Sequence, residues 1–112
     1  MAIQTAAMRD IVANAYHGSA LFGALYSTAP GASAGTELTG GSPAYARKSL
    51  TWAAGNAGTA TATFDVASGS TVAGAGVHSA VTAGTYYDGA SVTSQAFASQ
   101  GTYAATFTFT VT

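Results

Sequence analysis

Five consecutive residues, Gly31-Ala32-Ser33-Ala34-Gly35, match letter for letter the G-x-S-x-G pattern that exposes a nucleophilic serine in α/β hydrolases. That pattern performs acyl transfer only where a strand drives the serine into a sharp turn, a helix follows, and a histidine and a carboxylate converge on the hydroxyl. The residues after Ser33 read instead as loop. Ala, Gly, Ser and Thr supply 69 of the 112 residues, so a chance match is expected and no catalytic residue is assigned. Gly74-Ala75-Gly76 opens like a dinucleotide-binding fingerprint, yet position 79 is Ser and no long helix pattern follows, so a closely packed strand is the better reading. His17 and His78 make no local ligand pair and the chain has no cysteine, so they are read as structural, and neither a metal nor a cofactor is expected. Glu37, Asp65 and Asp88 could share acid–base work only if the fold brought them together. By sequence alone Asp88-Gly89 reads as a turn and Asp65 as part of the polar face of a strand.

The residues that remain suggest binding rather than catalysis. Arg47-Lys48 is the only basic pair, at the start of a segment that carries Trp52. It reads either as half of an intersubunit salt bridge, to Glu37 or Asp65 of a neighbour, or as a solvated strand start. Tyr26 and Tyr86-Tyr87 are aromatic candidates for an interface, with core filling as the alternative. The candidate interface set is Glu37, Tyr45, Arg47, Lys48, Trp52, Tyr86 and Tyr87.

These residues need elements to position them, and only the N-terminus has helical periodicity. Met8, Ile11, Val12 and Ala15 fall at i, i+3, i+4 and i+7, with Thr5 as N-cap and Gly18 as a stop, which predicts one helix near residues 6–17 packed at one end of the domain. Beyond it the period changes to two. In residues 102–112, Tyr103, Ala105, Phe107, Phe109 and Val111 share one face and five threonines the other. In residues 59–66, Ala60, Ala62, Phe64 and Val66 oppose Thr59, Thr61, Thr63 and Asp65. Shorter strands are predicted at 20–27, 47–53, 75–81, 85–87 and 91–97. Turn signals at 54–58, 68–70, 82–84, 88–89 and 99–101 separate them. Residues 28–44, with both prolines, form one long loop, read as an arm that reaches a neighbour. The expected fold is a single domain over residues 1–112, mainly β, an antiparallel β-sandwich or jelly-roll with one N-terminal helix.

Composition narrows the partners. Three basic residues, Arg9, Arg47 and Lys48, cannot form the cationic stripe that nucleic acid or an anionic membrane requires. No apolar run approaches a membrane span, and Arg9 and Asp10 stand where a signal peptide needs its apolar stretch, so synthesis in the cytoplasm is expected. Only 6% of residues are charged, against about a quarter in an ordinary domain. Strand edges without charged gatekeepers invite pairing, so much of the surface is expected to face other subunits.

The segment Gly35-Thr36-Glu37-Leu38-Thr39-Gly40-Gly41-Ser42-Pro43-Ala44-Tyr45-Ala46-Arg47-Lys48, followed by Leu50-Thr51-Trp52, resembles a family of small tailed-phage structural proteins that often carry the label "phage tail fiber protein". The N-terminal Ala-rich helix, the apolar residues 21–26, Phe64-Asp65-Val66 and the β run after Gln100-Gly101-Thr102 extend the likeness, while residues 67–98 are less similar. The resemblance implies a non-enzymatic virion protein on the capsid or tail surface, made in the host bacterial cytoplasm. A fibre shaft needs heptads or repeats that this chain lacks. The expectation is therefore a capsid decoration subunit, a homo-oligomer such as a trimer bound to the major capsid protein. The alternative is a tail-associated protein that touches other tail proteins and host glycans through Trp52, Tyr86 or Tyr87.

Overall fold

The computed structural model describes residues 3–18, 21–52 and 58–108. Helix α1 (Ala6–His17) begins where the Thr5 side chain accepts the Met8 N–H, which satisfies one of the amides that a helix start leaves open. Six strands follow: β1 (Phe22–Tyr26), β2 (Lys48–Ser49), β3 (Thr59–Val66), β4 (Thr71–His78), β5 (Tyr86–Ala96) and β6 (Gly101–Thr108). They form a four-stranded sheet in the order β2-β1-β4-β5 and a two-stranded ribbon of β3 with β6, antiparallel throughout. The domain is mainly β, with antiparallel sheets and one N-terminal helix, as the two-residue periodicity predicts.

The core lies between the sheet and the ribbon. Leu25, Leu38, Phe64, Val66, Val72 and Ala105 form its centre, and Leu50, Ala60 and Val77 extend it toward Trp52 and Phe107. Alternation in β3 and β6 follows the sequence reading. Ala60, Phe64, Val66 and Ala105 are buried, while Thr59, Thr61, Thr63, Thr102, Thr106 and Thr108 are exposed. Phe109 and Val111, read as continuing that inner face, lie outside the described residues, as do position 20, position 53 and most of the turn at 54–58.

Four expectations change. Asp88-Gly89 is not a turn: the two runs at 85–87 and 91–97 are one eleven-residue strand, β5, because Asp88 and Gly89 pair with Val77 and Gly76 of β4. The segment expected to run through 47–53 is a strand only over Lys48–Ser49. Helix α1, expected to pack at one end of the domain, sets Tyr16 against Leu50, Ala60 and Val77 but leaves its apolar stripe open. Met8, Ile11 and Val12 are exposed, and the 14.8 Å radius of gyration exceeds the roughly 13 Å of a compact domain of this length.

The long loop is not an arm. Leu38 N–H bonds to Leu25 O, Ser27 N–H bonds to Thr36 O, and Tyr26 and Glu37 form an antiparallel bridge, so residues 36–38 extend the sheet along β1 beyond β2. The preceding residues fold over the outer face of the sheet, where Pro30 lies against Gly74. A Cβ at Gly74 would collide with the Pro30 ring, and one at Gly76 would stand 2.6 Å from the Tyr26 hydroxyl. The Gly74-Ala75-Gly76 triplet is thus a closely packed strand, with glycine wherever the loop and Tyr26 press on it.

Candidate functional site

Alternation along the strands sorts the candidate residues onto two faces of the four-stranded sheet. Leu25 of β1 points into the core, so Tyr26 points outward; Arg47, just before β2, faces the outer side, and Lys48 the inner.

The outer face carries a clasp. Arg47 donates through Nη2 to Glu37 Oε1 and through Nε to Glu37 Oε2, both at 2.8 Å, a two-point contact that fixes both groups. Its Nη1 donates to the carbonyls of Ala80 at 3.0 Å and Ala83 at 2.7 Å, which ties the β4–β5 connection to the same point. Tyr45 donates its hydroxyl to Glu37 Oε2 at 2.7 Å and accepts the Leu25 N–H. The Arg47 side chain is only 10% exposed and that of Glu37 27%. Burial by itself would raise the Glu37 pKa, but hydrogen bonds from Arg47 and Tyr45 and the guanidinium charge overcome it and hold the carboxyl below its ordinary value. Burial and the same carboxylate push the Tyr45 hydroxyl far above the tyrosine range.

Beside the clasp, Tyr26 and His78 are buried and joined by a 2.5 Å hydrogen bond between the hydroxyl and Nε2, with Tyr86 set edge-on to both rings. Burial and the Arg47 charge lower the His78 pKa, against the pull of Glu37. The Tyr86 hydroxyl donates to Gly31 O and fastens the loop at its far end.

The inner face ends in a half-open cleft of about 160 Å³ between β5 and β6. Val77, Val92 and Phe107 line its floor, with Tyr16 of α1, Trp52 and Asp88 at its mouth. Tyr16 and Trp52 meet edge-to-face with ring centroids 5.6 Å apart. The Tyr16 hydroxyl also bonds to the Asp88 carboxylate, and burial together with that carboxylate pushes its pKa up to about 12. A rim of two aromatic rings and one carboxylate suits a cation on an aliphatic stem.

The seven candidate interface residues therefore separate. Glu37, Tyr45 and Arg47 come together, but within one chain, so the salt bridge read as intersubunit is closed internally on Glu37. Tyr86 belongs to the loop-fastening cluster, and Tyr26, read as either an interface anchor or core filling, is fully buried. Trp52 lines the cleft. Lys48 stands at the β2 edge, and Tyr87 is 57% exposed on β5. Tyr16 and Asp88 as cleft residues were not legible, since nothing in their spacing joins position 16 to position 88.

Ser33 lies in an exposed bend with no helix after it, so the structural context of a nucleophile elbow is missing. The His17 side chain lies outside the described part. Among the described residues no three His, Cys, Asp or Glu cluster as metal ligands, and no helix is long and apolar enough to cross a membrane. Comparison of the chain with protein-family models, with curated proteins and with solved structures finds no match.

Proposed function

We propose that the chain is a non-enzymatic structural subunit of a bacteriophage virion, carried in many copies on the capsid exterior as a decoration protein bound to the major capsid protein and to its own copies. The observation that carries this reading is a chain with only 6% charged residues folded as a β domain whose edge strand β5 has Asp88 as its one charged residue and no proline. Such an edge in a free monomer is a liability, and in an assembly it is an interface. The resemblance of residues 35–52 to small phage structural proteins adds support. Within that segment, Glu37, Tyr45 and Arg47 do structural work by closing the loop, which leaves partner contacts to the edges and the cleft.

Quantitative mass spectrometry of purified particles of the phage that encodes the chain tests the reading. A copy number near that of the major capsid protein is expected. A handful of copies transfers the protein to the tail, where glycan binding by the isolated chain through Trp52 or Tyr87 becomes the measurement to make. Absence from the particle overturns both locations.

A further inference from the structure

One row of directly paired residues crosses the whole four-stranded sheet: Lys48 of β2 opposite Gly23, Gly23 opposite Val77, and Val77 opposite Asp88 of β5. Directly paired residues share a face. Val77 is buried beside Leu50, and a Cβ on Gly23 would meet Leu50 and Phe107, so the row lies on the inner, core-facing side. The ends of this row are a lysine and an aspartate, at opposite edges of one sheet, in a chain with only seven charged residues. Strand direction is also consistent. With every neighbour antiparallel, β2 runs parallel to β4, so a β2 laid against the free side of β5 is again antiparallel to it.

We propose that copies of this chain associate head to tail, the β2 edge of one adding to the β5 edge of the next so that the sheet continues. In that register, Lys48 of the incoming copy extends the row and seats its ammonium in the cleft beside Asp88, Tyr16 and Trp52, with its methylene stem against the apolar floor. The cleft has the chemistry this side chain needs. Asp88 is exposed, and a carboxylate has acceptor capacity beyond the Tyr16 hydroxyl and the Gly89 N–H it already receives. The aromatic rim favours a cation near its rings. The contact joins two different patches, so it is heterologous, and its repetition builds a ring where the rotation between copies closes and a filament where it does not. This inference rests on the many-copy reading only in giving the copies a way to meet.

The test is native mass spectrometry and light scattering of the full chain over a range of concentrations and salt. An assembly of several copies, ring or filament, that weakens as salt rises is expected. Lys48→Glu and Asp88→Lys should each weaken association about tenfold or more, since close interfacial charge pairs couple by at least about 1.5 kcal/mol, and the double exchange K48E/D88K should restore it. Asp88→Asn keeps an acceptor for Tyr16 while removing the charge, so its loss of assembly with an unchanged melting curve separates association from folding. Asp65→Lys, an equal change of charge on the ribbon, should have no effect. A monomer at all concentrations, or a discrete assembly indifferent to Lys48 and Asp88, overturns the inference. The second outcome leaves the many-copy reading standing, whereas absence from virions removes that reading and leaves this one.

Discussion

On the outer face of the sheet a long loop is held by a guanidinium, a carboxylate, two tyrosines and a histidine, while the Tyr45 hydroxyl reaches the same carboxylate from a ring stacked on Phe64 of the core. On the inner face, beyond the core, Tyr16 of the helix meets the body edge-to-face with Trp52, against the Leu50, Ala60 and Val77 cluster and beside the Asp88 carboxylate, with a cleft open beside them. The outer face has spent its polar chemistry internally. The inner rim keeps a carboxylate and two aromatic rings, and the helix carries an apolar stripe, Met8, Ile11 and Val12, left exposed among the described residues. A partner that binds through charge or aromatic contact is therefore better accommodated at the cleft than at the clasp, although Arg47 and Glu37 are the more conspicuous pair in the sequence.

The largest effect should come from cutting the clasp. Arg47→Ala takes the guanidinium from two carbonyls and from Glu37, which keeps only the Tyr45 hydroxyl, and loss of a charged hydrogen-bond partner from a half-buried group costs about 3 kcal/mol. Urea unfolding should show a loss of unfolding free energy of that size, and a change below about 1 kcal/mol would mean that the loop is held mainly by Leu38. Next is Gly74→Ala, whose methyl collides with Pro30. Overpacking of this kind costs about 2 kcal/mol, and hydrogen exchange should quicken at the Ser27 amide as the loop lifts. Equal exchange in both proteins would contradict the tight approach.

Acid should open the outer face in two stages. His78 has its pKa lowered by burial and by Arg47, so the unfolded chain takes up its proton first, and stability falls as pH drops below the ordinary histidine value of 6.5 toward the folded value. Tyr26, Tyr86, Arg47 and Glu37 are the groups that face it. Glu37 is also held low, and its contribution is present above the ordinary carboxylate value of 4.5 and lost as pH falls through the folded one. His78→Gln should abolish the upper stage and keep the lower, as read by thermal melts at stepped pH. A wild-type curve flat from pH 7 to 5 would rule out the upper stage.

The smallest effect belongs to the helix. Ile11→Gln alters an exposed side chain and should change the stability of the monomer by no more than about 0.5 kcal/mol. A loss well above 1 kcal/mol, growing with protein concentration, would show that a second copy covers the stripe and would blur the contrast between the two faces.

Much of this architecture was legible in the residues. Alternation placed Phe64 and Val66 inward and Thr61 and Thr63 outward, because a strand has a period of two and only one face of a ribbon can meet the core. Thr5 announced the helix start for an equally local reason. Asp88-Gly89 misled because a turn signal describes what two residues prefer alone, and pairing with Val77 and Gly76 outweighs that preference. For Tyr26 the residues left surface and core equally open, because an aromatic side chain serves either until a loop is laid over it, and the fold takes the core.

The sequence by itself determined the two-residue period, the helix start, the inward and outward faces of the ribbon and the scarcity of charge, since each follows from local sterics or from counting. Tertiary structure alone decided that Glu37 closes on Arg47 of its own chain, that Tyr16, Trp52 and Asp88 share a cleft, and that Lys48 and Asp88 end one row across the sheet. Those relations depend on strand order and register. Order and register are set by how whole faces bury against one another, and no short stretch of the chain carries that information.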